Sequence, residues 1–207
     1  MLEFGTDSDD SLEGDGKSGF IDARSGHDTV IGSAINEEIV GGSGDDNLDG
    51  GVGSDTASFT DSDTDLEADL VKGEAESAGI GFDTLTGIEN VSAGGGDDFL
   101  RGDDSDNRLD GGAGDDWIRG STGNDTMTGG TGADEFVFAP RHGHDVITDF
   151  EVGTDFFTLL DGRTIDNLSE VDSDGVGGND STLVTFDDGG TVLLETVLGL
   201  GGEADLF

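Results

Sequence analysis

Apolar residues recur every nine positions along much of this chain. They fall at Leu12, Ile21, Val30, Ile39, Leu48 and Ala57, and again at Val91, Leu100, Leu109, Ile118, Met127 and Phe136. Laid out in nines from Gly5, six units run without a slip to Ser58, and six more run from Thr84 to Val137. A thirteenth, PRHGHDVIT, begins at Pro140 after a two-residue slip at Phe138-Ala139. One apolar side chain between two outward neighbours fits a very short strand that points a single residue inward. The six residues before each such strand are rich in glycine and read as a turn. Two strands and two turns then make a coil of eighteen residues, and successive coils stack as parallel strands about 4.8 Å apart. The predicted fold class is therefore all-β: a parallel β-roll, or β-helix solenoid, of nine-residue repeats.

The pattern breaks twice. Residues 59–83 interrupt the nines, and within them TDLEADLVKGEAE alternates around Leu66, Ala68 and Leu70 before a turn near Gly73, as a strand and hairpin would. From Phe136 onward aromatic and β-branched residues become frequent. TLVTFDDGGTVLLE reads as a hairpin about Asp187-Asp188-Gly189-Gly190. The expected organisation is a roll over residues 5–137 with a hairpin-like insertion at 59–83, followed by a β cap over 138–207 that closes the open end, as terminal repeats must.

Charge changes the picture. With 8 Lys+Arg against 49 Asp+Glu the formal net charge is −41. Nucleic acid, whose phosphates would be repelled, is excluded as a partner. Only 31% of residues are hydrophobic, a small share for a globular chain. Such a chain either stays disordered or is completed by something cationic. There is no cysteine, so neither disulfides nor thiolate metal sites contribute. The opening MLEFGTDSDD has no basic cluster and no apolar run, so a standard N-terminal signal peptide is not expected. No stretch approaches the length of a membrane span.

The acidic residues keep register as well. The sixth position of the twelve in-phase units is Asp in eight, at Asp10, Asp28, Asp46, Asp55, Asp98, Asp116, Asp125 and Asp134. Glu37 and Glu89 stand there in two more, and Gly19 and Asn107 in the remaining two. Stacking places residues eighteen apart one above the other, so these carboxylates form ladders that would repel themselves. Ca²⁺ takes six to eight oxygens at about 2.3–2.6 Å, and an ion between two stacked turns would satisfy such a ladder. Metal binding and folding should then be linked. About four strong sites are expected, at Asp10/Asp28, Asp28/Asp46, Asp98/Asp116 and Asp116/Asp134. The opposite edges, with Gly19, Glu37 and Asp55 and with Glu89, Asn107 and Asp125, are degenerate and should bind less; Asp145 is placed to extend the second above Asp125. Carbonyls at the second and fourth turn positions are the expected remaining ligands: Gly26, Gly42, Gly44, Gly94, Gly96, Gly112, Gly114, Gly130 and Gly132.

GGSGDDNLD resembles the GGxGxDxUx nonapeptide of the RTX (repeats-in-toxin) family, a calcium-binding parallel β-helix repeat. Thirteen such units cover most of residues 5–148. The resemblance implies Ca²⁺ in the turns and export from a Gram-negative bacterium to the outside by type I secretion machinery. The aromatic region after Phe136 is similar to the C-terminal caps of RTX proteases, lipases and alginate epimerase modules, and the ending EADLF is similar to the signal of some type I exported proteases.

Signs of catalysis are missing: no HExxH accompanies His142-x-His144, and no GxSxG occurs. His27, His142 and His144 are expected to be exposed turn residues. The DSDGVGGND stretch, with Asp172, Asp174 and Asp180, departs from an EF-hand loop after Gly175 and reads as a polar loop. The favoured function is a non-catalytic calcium-binding module that folds after secretion and stabilises or carries an extracellular protein. The alternative is a module that binds an extracellular polysaccharide or cell surface, for which the single Trp117 is a weak pointer.

Overall fold

The structure is a computed structural model and describes residues 3–171, 181–197, 200 and 202–207. The stretch 172–180, with the EF-hand-like spacing, lies outside the described residues. The chain forms two compact units, Met1–Leu100 and Arg101–Phe207. In the first, strands are β1 (Glu3–Phe4), β2 (Ser11–Glu13), β3 (Phe20–Asp22), β4 (Thr29–Ile31), β5 (Glu38–Val40) and β6 (Asn47–Asp49). They are followed by β7 (Thr56–Ser58), β8 (Glu67–Asp69), β9 (Glu74–Ser77), β10 (Gly81–Thr86), β11 (Asn90–Ser92) and, at the unit's end, β12 (Phe99–Arg101). Most are only three residues long, as one inward side chain per nine residues requires.

The strands separate into two sheets. One runs β1-β3-β5-β7-β11 and the other β2-β4-β6-β10-β9-β8-β12. The repeat strands pair in parallel, in the register the nine-residue spacing demands: Ile21 beside Ile39, Val30 beside Leu48, and Leu48 beside Leu85. Ile21, Val30, Ile39 and Leu48 are fully buried, so the core is two facing columns of single side chains. The segment 59–83 supplies β8 and β9, which take places in line within the second sheet. There β9 runs antiparallel to both neighbours, pairing Ala75 with Ala68 and with Asp83.

The second unit contains β13 (Arg108–Ala113), β14 (Trp117–Arg119), β15 (Thr126–Thr131), β16 (Glu135–Phe138) and β17 (His144–Ile147), then β18 (Phe156–Leu159), β19 (Ile165–Val171), β20 (Ser181–Phe186) and β21 (Thr191–Leu194). Its sheets run β13-β15-β17-β21-β20-β19 and β14-β16-β18. Leu109, Met127 and Ile147 stack in one column, and Ile118, Phe136 and Phe157 in the other. All six are buried. β21 still pairs in parallel with β17, and beyond it the sheet turns antiparallel, with β20 between β21 and β19. Phe136, Phe138, Phe150, Phe157 and Phe186 form a connected ring cluster with centroids 5.0–6.1 Å apart. The tail returns to this unit: Leu206 is buried and its carbonyl accepts the Phe157 N–H at 2.6 Å. Among the described residues no helix is long and apolar enough to cross a membrane.

Since each coil contributes one core residue per strand, each counts heavily. Leu48→Ala should lower stability in calcium-containing buffer by about 2–5 kcal/mol, the usual cost of a buried leucine truncation. Val52→Ala, 71% exposed in the neighbouring turn, should change it by less than about 0.5 kcal/mol. Urea unfolding of the two variants checks the contrast.

Candidate metal centre

Most of the rung carboxylates are fixed by the coil before them. The carboxylate Oδ1 accepts the backbone N–H of the sixth-position residue one rung below. Thus Asp10 N–H donates to Asp28 at 2.7 Å, Asp28 N–H to Asp46 at 2.8 Å, and Asp46 N–H to Asp83 at 2.9 Å. The opposite edge repeats the device, from Glu37 N–H to Asp55 at 2.7 Å and from Asp55 N–H to Glu89 at 2.9 Å. In the second unit the rungs are Asp116 to Asp134 (3.0 Å) and Asp134 to Asp155 (3.1 Å). The other edge runs Asn107 to Asp125 (2.9 Å) and Asp125 to Asp145 (3.0 Å). Asp98 and Asp116 belong to different units; Asp98 Oδ1 accepts the N–H of Leu66 at 2.8 Å, so the rung below it carries no acid at that place.

At six of these aspartates one oxygen is thereby used and the other is not. The Oδ2 atoms of Asp28, Asp46, Asp55, Asp83, Asp125 and Asp134 are buried without a hydrogen-bond partner. An unmatched buried carboxylate oxygen is costly. Burial, reinforced by the acid on the adjacent rung, pushes Asp83 up to about 8 and Asp125 to about 7, against the backbone N–H each accepts. Asp55, Asp98 and Asp134 rise to about 6, again chiefly through burial. Burial also raises Asp46, Asp145 and Asp155.

The turns bring main-chain oxygens to the same places. A Cβ added at Gly129 would come 2.2 Å from Asp134 Oδ2, so glycine at this first position leaves room for that oxygen. Gly130 and Gly132 have φ of 99° and 146° and lie directly on the coil below. Added Cβ atoms there would meet the carbonyls of Gly112 at 2.0 Å and Gly114 at 1.8 Å. Gly42 and Gly44 sit in the same way on the carbonyls of Arg24 and Gly26. Gly96 lies against the backbone of Thr64-Asp65, and Gly94, without positive φ, against the carbonyl of Ser62. Arg24, Ser121 and Arg141 take φ of 77°, 81° and 69° at the second positions of their units, so the coil imposes this turn even on residues that resist it.

This donor set fits a hard cation that prefers oxygen. Among the described residues no three or more His, Asp or Glu side chains gather as a ligand cage. A ladder offers one acid per rung, so carbonyls must supply the rest of any coordination shell.

The ends of the ladders differ from their interiors. Asp10 Oδ2 accepts both the N–H and the hydroxyl of Thr6, at 2.6 and 2.8 Å, which hold its carboxyl below the usual range. Asp155 Oδ2 accepts the Glu151 N–H at 2.8 Å. Asp145 Oδ2 is held by His142 Nδ1. His142 corrects the expectation of an exposed histidine: it is 2% exposed, packed by Phe138 and Phe186. His27 and His144 are exposed as expected. Asp83 and Asp155 are rungs that counting in strict nines does not reach. Their signals are present, as Gly79-x-Gly81-x-Asp83-x-Leu85 and Gly153-x-Asp155-x-Phe157, but both are out of phase with the units around them.

Among solved structures, the extracellular lipase LipA from Serratia marcescens aligns over 94% of this chain and 38% of its own, with 17% identity and a TM-score of 0.33. The AlgE6R3 subunit of the Azotobacter vinelandii mannuronan C5-epimerase aligns over 92% of this chain and 72% of its own, with 20% identity and a TM-score of 0.29. The chain thus spans well under half of the lipase's length. A search of curated proteins finds no match. The RTX calcium-binding nonapeptide repeat matches four times, over residues 4–34, 31–58, 83–118 and 110–137, which together make up more than half of the chain. With that coverage, and with turns whose oxygens are arranged for a hard cation, the chain belongs to the RTX family of calcium-binding nonapeptide repeats.

Proposed function

We propose that this chain is a non-catalytic calcium switch: a module that stays unfolded where calcium is scarce, folds where it is plentiful, and so stabilises or carries an extracellular protein after type I secretion from a Gram-negative bacterium. The observation that carries this reading is the row of buried, unmatched Oδ2 atoms on Asp28, Asp46, Asp83 and Asp134. The folded chain assembles them, and among the described residues none of these oxygens has a hydrogen-bond partner.

Within the first unit the ligands we propose are Asp28, Asp46 and Asp83, with the carbonyls beneath Gly42 and Gly44. In the second they are Asp116 and Asp134, with the carbonyls of Gly112 and Gly114, and Asp125 on the other edge. Bound calcium supplies positive charge that offsets the ladder and takes up the remaining carboxylate lone pairs. The chain's own contribution is to hold each Oδ1 on a backbone N–H, so that the second oxygen has one orientation. Ligand that binds only the folded state stabilises it by mass action, by about 2.7 kcal/mol for each site at a hundredfold excess over Kd. With a net charge of −41 and a core of single-residue columns, folding should depend on that contribution.

Titration by calcium, followed by circular dichroism, should convert a largely unfolded chelator-treated chain into a β-rich one. Magnesium, which demands tighter octahedral geometry, should do so poorly. Full native signal in chelator would sink the reading. The bound-ion count, measured by native mass spectrometry, should fall in Asp28→Asn and Asp134→Asn and stay unchanged in Asp63→Asn, an exposed loop residue.

The raised carboxyls give the pH dependence its sign. An unfolded aspartate titrates near about 3.9, whereas Asp83 in the ion-free fold rises to about 8 and Asp125 to about 7. Between these limits the folded chain binds more protons than the unfolded one, so its ion-free stability falls as pH rises through the window. Chelator-treated protein should therefore retain more β structure at pH 5 than at pH 8. Calcium added at neutral pH should release protons, detectable in weakly buffered solution. More structure at pH 8 than at pH 5 without calcium would contradict the assignment.

A further inference from the structure

The Asp125–Asp145 ladder ends differently from the rungs beneath it. Asp145 Oδ1 accepts the Asp125 N–H at 3.0 Å, as Asp125 Oδ1 accepts that of Asn107. Its Oδ2, the atom left unmatched at Asp125, is taken by His142 Nδ1. Both side chains are almost completely buried, 2% and 1% exposed. The imidazole lies edge-on to Phe138 and Phe186, with ring centroids 5.0 and 4.9 Å away. The turn of the β20–β21 hairpin covers its other edge, since a Cβ added at Gly190 would come 2.7 Å from His142 Nε2. That turn is itself fastened: Asp188 accepts the N–H groups of Arg141 and Gly190 at 2.8 and 3.1 Å and is paired with Arg163. Arg163 in turn donates to the Ala139 carbonyl at 2.6 Å and stacks 4.4 Å from the centre of the Phe186 ring. The imidazole thus occupies the place beside Oδ2 and is locked there by the cap.

We infer that His142 closes the last rung of this ladder in place of a metal ion, so that Asp145, although it carries the repeat's sixth-position aspartate, takes no calcium in the native protein. The ring N–H supplies the partner that an ion supplies elsewhere, and it does so from the cap. The specificity is positional: the same Gly-x-Asp spacing is a metal site inside the roll and a side-chain hydrogen bond at its end. This inference rests on the calcium reading of the interior rungs, and its test separates the two.

The experiment counts bound calcium by native mass spectrometry at saturating calcium, in wild type, His142→Ala, His142→Gln and the double variant His142→Ala/Asp145→Asn. Removing the ring should uncover Asp145 Oδ2 and raise the count by one ion per chain. Glutamine, whose amide can still donate, should keep the wild-type count, and the double variant should lose the added ion. An unchanged count in a folded His142→Ala variant overturns the inference. A second measurement on the wild type needs no substitution: in long-range ¹H–¹⁵N correlation spectra the His142 Nδ1–H signal should persist at calcium saturation. Its loss as the last ions bind, or displacement of the ring from Asp145, also overturns the inference. A wild-type chain that binds no calcium at all overturns the proposed function instead.

Discussion

Everything in this molecule turns on a hydrogen bond that uses half of a carboxylate. At most interior rungs one carboxylate oxygen receives the backbone N–H of the rung below, which fixes the vertical register of the coils. At Asp28, Asp46, Asp55, Asp83, Asp125 and Asp134 the other oxygen is buried, away from solvent and without a hydrogen-bond partner. A positively charged group must follow, or protons must. The low hydrophobic content makes the demand stronger, because a stack of single Ile, Leu and Val columns buries little apolar area with which to offset unmatched charge. Register, ion and core are therefore parts of one arrangement.

The same arrangement accounts for the glycine-rich turns. One acid per rung cannot surround a calcium ion, so the shell must be completed by carbonyls. Carbonyls converge only where successive turns pass almost in contact, and any side chain there collides with the coil below, as at Gly44 and Gly132. Arg24, Ser121 and Arg141 show that the geometry belongs to the coil and not to the residue: each accepts a left-handed backbone that glycine would hold at less cost.

The repeats, the two-sheet coil and the sixth-position acids could all be read from spacing, because a solenoid uses the same local solution at each turn. Leu48 above Val30 follows from a difference of eighteen and nothing else. The out-of-phase rungs were harder. Asp83 stands above Asp46 after thirty-seven residues because β8 and β9 intervene, and Asp155 stands above Asp134 after twenty-one. Counting in nines passes over both, although each carries its own Gly-x-Asp-x-apolar signature. The burial of His142 escapes the sequence for another reason. Its neighbours in sequence are polar turn residues, and its burial is produced by Phe138, Phe186 and a hairpin more than forty residues away. No periodicity contains that information.

Along the second unit the means of neutralising and packing the chain changes. The lower rungs leave carboxylate oxygens for an ion. At Asp145 an imidazole takes over, and at Asp155 a backbone N–H. Around and beyond them five phenylalanines, a buried Arg163 and an antiparallel meander pack as an ordinary protein does. This gradient answers a difficulty built into any ion-held stack, which is that the last turn has no further turn above it to complete a coordination shell. A naked rung at the end would leave a buried charge facing either solvent or apolar side chains. Replacing the ion by groups drawn from the cap satisfies the final carboxylates. If the rungs fold on calcium as proposed, it also joins that part of the fold to an apolar cluster that needs no cation, so order gained at one rung is passed to side chains that touch no metal.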